Sequence, residues 1–426
     1  MDVFQDLPHD VALQCLVRVP FDQFHSVRSV CKAWKARVDL PELIRLRNDI
    51  GKAQSLVVLS QARVSPNGTR KCLDGLVYRL VVLEPDTGRW SEMPSLPEFE
   101  NGLPSFCGMV AVGSNLVVLG GYDSSTRNCG NSVFIFDFLL AKWRRGADMP
   151  GGPRSFFGCA SDGERTVFVA GGHDLEKNAL KSAWAYDVVE DNWSQLRDMA
   201  KERDECEGLF HCGNFHVIGG YPTNMQGHLH QSNEVFDTSA RKWLECDDVF
   251  LEIPDTPRCY AEGTNNKLYT YQANDVVVLE DGKWQFVARM PVEVAATSYL
   301  VAFLGHLLLI GSSKYGEPKN VYKMDLNEHI WTKVHVPIEY SGHVELGCDD
   351  NKLSCAFEMI RSFPDLQTLE ITTTIWDAVP PPAICSLEGV LIMTTAHFRP
   401  SATPPISDQT GFGSSFKLVS DWINGR

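Results

Sequence analysis

Four side chains of metal-binding type crowd one short word, "CEGLFHCGNFH": Cys206, His211, Cys212 and His216. Thiolate and imidazole are the usual zinc donors, but a zinc site of that kind asks for C-x₂₋₄-C with H-x₃₋₅-H. That spacing is absent, and strand alternation would send His211 and Cys212 to opposite faces. The expectation is an ordinary strand with no metal and no cofactor. "GHLH" at 227–230 sits in a long polar loop, where a His-x-His is expected to be surface rather than ligand. No G-x-S-x-G elbow and no paired catalytic carboxylates stand out. A phosphate cradle is the other chemistry to weigh, because "VFVAGGH" (167–173) runs an apolar strand into a glycine pair. A dinucleotide fingerprint needs G-x-G-x-x-G opening a helix within one βαβ unit. Here the glycines are adjacent, a polar segment follows, and the next apolar word is again a strand.

The glycine pair is instead a repeated device. Gly120-Gly121, Gly171-Gly172 and Gly219-Gly220 close "NLVVLGGY", "VFVAGGH" and "NFHVIGGY" at spacings of 51 and 48 residues. Hydrophobic words ending in Trp90, Trp143, Trp193, Trp243, Trp284 and Trp331 recur at 53, 50, 50, 41 and 47 residues. A period of roughly 40–50 residues matches the kelch type of propeller blade. One unit reads "SFFGCASD", "TVFVAGG", "SAWAYDV", "NWSQL", four strand words, and each word can be found six times. The registers are offset: the chain opens on the second word at Ser55 and closes on the first at 342–348. One blade is therefore expected to be composite, so that the ring leaves no unpaired edge. The glycines allow a sharp turn near the crowded axis, and each Trp buries area between neighbouring blades. The fold expected is mainly β, a six-bladed propeller over 53–348 behind a small helical module at 1–50. Residues 349–426 are expected to be an appended segment. Trp376 and Trp422, 45 and 46 residues further on, leave added degenerate blades as the alternative.

A net charge of −15 gives a nucleic-acid role no electrostatic support. No run reaches the ~18 apolar residues of a membrane span, and "MDVFQDLPHD" lacks the layout of a secretory signal. The thirteen cysteines are expected to be reduced thiols inside strands.

Residues 1–50 contain no glycine and balance seven acids against seven bases. Leu7, Val11, Cys15, Leu16 and Val19 follow helical steps after Pro8, and Val27, Val30, Cys31 and Trp34 form a second stripe. Three helices this short make a marginal core, so leftover apolar residues should be covered by a partner. "LPHDVALQCLVRVPFDQFHSVRSVCKAWKARV" resembles an F-box. The resemblance implies docking of these ten residues onto the SKP-type adaptor subunit of an SCF-type cullin–RING ubiquitin ligase, with the cullin engaged indirectly, in cytoplasm or nucleus. Residues 53–348 resemble the plant kelch-repeat F-box proteins. "LEPDTGRW", "PGGPRSFFGCASD", "VFVAGGHDLEKNAL", "KERDEC", "FHVIGGY" and "KYGEP" resemble one subgroup, which implies recruitment of phenylalanine ammonia-lyase or of type-B cytokinin response regulators for ubiquitination and proteasomal destruction. The function expected is a non-catalytic substrate receptor; the rival is a ligase-independent scaffold that sequesters a partner.

Arg154, Arg203 with Asp204 and Glu205, and Arg258 stand at matching places before three first-strand words. Guanidiniums there could fork onto carboxylates of a client. The alternative is that each pairs with an acid or carbonyl of its own or the next blade. A kelch propeller can also carry a copper-radical oxidase, which needs a Tyr–Cys crosslink and His ligands on one face. Tyr122, His173 and Tyr221 follow the glycine pairs, but no Tyr–Cys pairing is forced, so no enzyme is expected.

Overall fold

A computed structural model of the chain describes residues 9–20, 23–38, 43, 46–47, 50, 54–64, 76–99, 102–123, 126, 128–226, 228, 232–244, 259–263, 266–294, 299–303, 305–313, 318–341 and 357–361. Three short helices come first: α1 (His9–Leu16), α2 (Phe24–Val30) and α3 (Lys32–Val38). Six four-stranded antiparallel sheets follow, the six blades of a propeller. Blade 1 holds β1 (Ser55–Val64), β2 (Leu76–Glu84) and β3 (Arg89–Glu92). Blade 2 is β4–β7 (Gly108–Val112, Asn115–Asp123, Asn128–Asp137, Lys142–Gly146), and blade 3 is β8–β11 (Gly158–Ser161, Thr166–Ala170, Ala183–Asp187, Asn192–Gln195). Blade 4 is β12–β15 (Asp204–His211, Asn214–Tyr221, Asn233–Asp237, Lys242–Leu244). Blade 5 is β16–β19 (Ala261–Glu262, Leu268–Gln272, Asp275–Glu280, Lys283–Arg289), and blade 6 is β20–β23 (Tyr299–Phe303, His306–Gly311, Asn320–Asp325, Trp331–Val334).

Blade 1 is composite, but its fourth strand is not the word at 342–348, which lies outside the described residues. It is β24 (Phe357–Arg361), antiparallel to β1 with Ser55 opposite Arg361 and Leu59 opposite Phe357. The boundary expected at 348 is therefore too early, and the first residues assigned to an appended segment belong to the ring. The first strands of neighbouring blades touch around the axis: β24 with β4 and β20, β8 with β4 and β12.

Burial grades outward along each blade. In blade 2 every residue of β4 is buried, whereas the outermost β7 reads mostly exposed. Inner strands are covered on both faces by the neighbouring blades, so their sequence is a continuous apolar run instead of an alternating one. Val110, Val112 and Val117 of blade 2, for instance, share a core with Phe157, Cys159 and Val169 of blade 3. The outermost tryptophans are half-buried and serve a second purpose. The indole N–H of Trp143, Trp193, Trp243 and Trp331 donates to a carbonyl at or just past the end of the outer strand of the preceding blade: Pro94, Ala147, Arg197 and Arg289, at 2.6–3.0 Å. For Trp284 the matching stretch after β15 lies outside the described residues.

Candidate functional site

Each blade has two ends. The hairpin from first to second strand and the turn from third to fourth lie at one end; the glycine pairs and the entry to the first strand lie at the other. The register of blade 2 fixes this: Val112 faces Asn115 and Asn115 faces Asp137, while Gly108 faces Leu119 beside Gly120. The helical module packs at the hairpin end. Leu139, in the turn after β6, joins the cluster of Leu13, Leu16, Val17, Phe24, Val38 and Leu43. The glycine-pair mouth is therefore the end remote from the helices.

Within the helical module, α1 has two apolar faces. Ala12, Leu13, Leu16 and Val17 point into the core, each at most 4% exposed. Val11 and Cys15, one turn apart, stand outside, Val11 at 42% exposure, and on α2 Val30 is 60% exposed. Val19, Val27 and Trp34 are half-buried against the core, and Cys31 is partly exposed. Leu16, expected on the docking surface, is core at 1% exposure. Leu7 and Pro8 lie outside the described residues. The end of α1 is held by Arg47, which donates to the carbonyl oxygens of Val17 (2.8 Å) and Val19 and stacks over Phe24 at 4.9 Å. Burial pulls its guanidinium down to about 10.

At the glycine-pair mouth, Arg154 and Arg203 are not outward forks: both are fully buried. Arg154 donates to the carbonyls of Gly171 (3.3 Å) and Ser182 (3.5 Å) and to Ser182 Oγ (3.0 Å). Arg203 repeats this one blade on, to Gly219 O, Ser232 O and Ser232 Oγ, and adds Glu234 at 3.1 Å. Each guanidinium thus staples its own blade, the alternative that the sequence left open. The arginine's own carbonyl completes the device, because Gly121 and Gly172 of the preceding blade donate to Arg154 O (3.3 Å) and Arg203 O (2.8 Å). Glycine is required there. At Gly172 (φ 80°) a Cβ would run into Ser155 O and Phe157. Arg258 lies outside the described residues.

Ser155, His173 and Asp204 connect as a nucleophilic triad would. Ser155 Oγ lies 3.0 Å from His173 Nε2, and His173 Nδ1 lies 2.9 Å from Asp204. Ser155 has no exposed surface, however, so no substrate reaches its hydroxyl. The trio is a polar clamp between blades 3 and 4. Burial pushes the His173 imidazole down, but Asp204 and Cys129 outweigh it, and the ring is raised to about 9. Tyr221 is buried and donates to Glu205 at 2.8 Å, and Tyr122 pairs across the ladder with Cys129, whose Sγ lies 3.3 Å from Ser155 Oγ. The three residues after the glycine pairs therefore do not line a shared open pocket.

Of the residues that do reach the mouth, Glu205 was among the candidates read from the sequence, and Phe106 and Phe156 were missed. Phe106, Phe156 and Glu205 occupy one repeated place, each with positive φ (60°, 62° and 52°). Phe106 packs at a tilt against Phe156 at 4.4 Å, and Phe156 stacks on His173 at 4.9 Å, with both phenylalanines half-exposed. Non-glycine residues held this way cluster at functional sites. The signal was present, since "SFCG" and "SFFG" open two first-strand words. Beside them a shallow cleft lies against Gly120 and Gly121, walled by Phe99, Pro104, Val118 and Phe134.

Two family models match the chain: an F-box domain over residues 4–46 and a KLHDC2/KLHL20/DRC7 Kelch-repeats domain over 64–271. Among similar proteins of Arabidopsis thaliana, F-box/kelch-repeat protein At1g15670 is 46% identical over 355 residues, 82% of this chain and 99% of that protein. F-box/kelch-repeat protein At1g80440 is 46% identical with the same coverage of both chains, and F-box/kelch-repeat protein SKIP20 is 36% identical over 80% of this chain and 94% of its own. With helices, a closed six-bladed ring and relatives matched nearly end to end, the chain belongs to the plant F-box/kelch-repeat family.

Proposed function

We propose that this chain is the substrate-recognition subunit of an SCF-type ubiquitin ligase, working in cytoplasm or nucleus. Its F-box docks on the SKP-type adaptor, and the glycine-pair mouth of its propeller holds a client. The observation that carries the reading is the pairing of two features. Val11, Cys15 and Val30 stay exposed although the F-box core beneath them is filled. The mouth with the strained Phe106, Phe156 and Glu205 lies at the end remote from those helices. A client held there is presented away from the adaptor side, and the ligase gains effective concentration of client lysines near the charged conjugating enzyme. This role asks no bond chemistry of the chain itself. The resemblance of "VFVAGGHDLEKNAL" and the related phrases names the first clients to test, phenylalanine ammonia-lyase and type-B cytokinin response regulators.

The test is reconstituted ubiquitination with the adaptor, cullin and RING subunits and each client in turn. Wild type should co-elute with the adaptor and modify one client. Val11→Asp with Val30→Asp should lose the adaptor and the modification while still pulling down the client. If the double variant keeps its full effect on client abundance in cells, the chain acts as a scaffold and the ligase reading fails.

A further inference from the structure

The hairpin joining β12 to β13 is closed by Cys212 and Gly213 alone, with His211 opposite Asn214. Both turn residues have positive φ, 49° and 77°. Two-residue turns of this hand ordinarily take Asn, Asp or Gly at the first place, and blade 2 puts Gly113 (φ 56°) there, next to Val112. A cysteine bears strain at that position that glycine would relieve. Its effect is placement. Because Cys212 is in the turn and not on the strand, alternation does not separate it from its neighbour, contrary to the expectation from sequence. Cys212 Sγ lies 3.4 Å from His211 Nε2, and His211 Nδ1 lies 2.8 Å from Glu262 Oε1.

Glu262 comes from β16 of the next blade and is 3% exposed, whereas Cys212 is open to solvent. The three residues offer ligand atoms within 4.8 Å of one another. Zinc bonds of about 2.0–2.1 Å to nitrogen and about 2.3 Å to sulfur, at a tetrahedral angle, set the two donors about 3.5 Å apart. The observed separation of Sγ and Nε2 is close to that. A carboxylate accepting from Nδ1–H fixes the tautomer that leaves the Nε2 lone pair on the sulfur side, the usual outer partner of a metal-bound imidazole. Of the other candidates in the same word, Cys206 lies at the far end of β12 beside Ala170 O at 3.5 Å. His216 is buried on β13 with its ring 6.2 Å from that of His211.

We propose that His211, Cys212 and Glu262 form a site for a thiophilic divalent cation of the zinc type. Cys212 Sγ and His211 Nε2 bind the ion, Glu262 holds the imidazole, and water completes the coordination. The site clips the first strands of blades 4 and 5 together at the hairpin end of the ring.

Purified full-length protein, stripped with chelator, is titrated with Zn²⁺ against a chromophoric competitor and separately with Co²⁺. Wild type should bind one ion that Cys212→Ser does not, show a thiolate-to-cobalt charge-transfer band that Cys212→Ser abolishes, and unfold at a higher temperature with Zn²⁺ present. Glu262→Gln should weaken Zn²⁺ about 10–100-fold while keeping the charge-transfer band, which separates loss of the ion from loss of the fold. Cobalt uptake without a thiolate band, or equal Zn²⁺ affinity in wild type and Cys212→Ser, would overturn the assignment.

Discussion

Replacing the two buried arginines by methionine separates a staple from a client fork. Arg203 is fully buried and pairs with Glu234, itself 9% exposed. Removing one partner of such a pair strands a buried charge, at a cost of about 3–5 kcal/mol. Glu234 retains backbone donors from Ala200 (2.6 Å) and Lys201 (3.2 Å), which keeps the loss toward the lower figure. Arg154 has only carbonyl and hydroxyl acceptors, and burial lowers it to about 10. Its guanidinium is held at a penalty of roughly 1.4 kcal/mol per pH unit, which methionine removes while taking a donor from Gly171 O and Ser182 Oγ; Ser182 O still accepts from the Gly171 N–H at 3.2 Å. Arg154→Met should therefore cost less, about 1–2 kcal/mol. At roughly 2–4 °C per kcal/mol for a domain of this size, thermal melts followed by tryptophan fluorescence should fall by about 6–15 °C for Arg203→Met and about 2–8 °C for Arg154→Met. Client pull-down below each melt should be unchanged. The reasoning is refuted if both variants melt like wild type yet lose the client, since the guanidiniums would then be reaching outward.

Four further outcomes follow from the same geometry. Leu16→Ala should destabilise the F-box by about 2–4 kcal/mol, whereas Val11→Ala changes the melt little; equal effects would mean the core faces have been misassigned. Gly172→Ala meets Ser155 O and Phe157, whereas Gly152→Ala, at φ 90° with open space around it, bears only backbone strain. The first should cost at least twice the second in urea unfolding, and parity would count against the inter-blade contact. Since the folded His173 is raised to about 9 from its ordinary value of about 6.5, its contribution is fully present below about pH 6.5 and lost as pH rises to about 9. Wild-type stability should accordingly fall by up to about 3 kcal/mol across that window, and a wild type no steeper than His173→Gln would refute the imidazolium. Truncation after residue 348 removes β24 and bares the edge of β1, so the product should melt lower and self-associate on sizing columns; a monomer with the full-length melt would show that β24 is dispensable.

Sequence carried the ring and its blade count because the glycine pairs and tryptophans are local devices repeated at a fixed period. It left Arg154 and Arg203 undecided because a guanidinium before a strand reads alike whether it turns outward or back onto its own blade. The distinction depends on Ser182 and Ser232, 28 and 29 residues away, which no periodicity marks. Leu16 was misplaced for a related reason: α1 is apolar on two faces, and only the packing of Phe24, Val38 and Leu43 decides which is core. His211 and Cys212 were separated by an alternation rule that holds along a strand and lapses in the turn.

The closing strand was found at the wrong place, yet the closure itself was legible, and the contacts around it explain why. The bond that Trp143, Trp193, Trp243 and Trp331 make to the blade before them recurs at the seam, where Trp90 donates to His335 O at 3.1 Å across 245 residues. The segment leaving blade 6 adds to this: Tyr340 stacks on Trp90 at 5.7 Å, Tyr340 O accepts from Gln61 at 2.8 Å, and Glu339 O accepts from Arg79. The outer rim is thus latched by residues up to Tyr340 before the chain returns to supply β24 at the axis. Because the rim already brings the ends together, the stretch between latch and inner strand carries little of the loop-closure cost. Its length is then free to vary, so a boundary read from word order alone fell short of the strand.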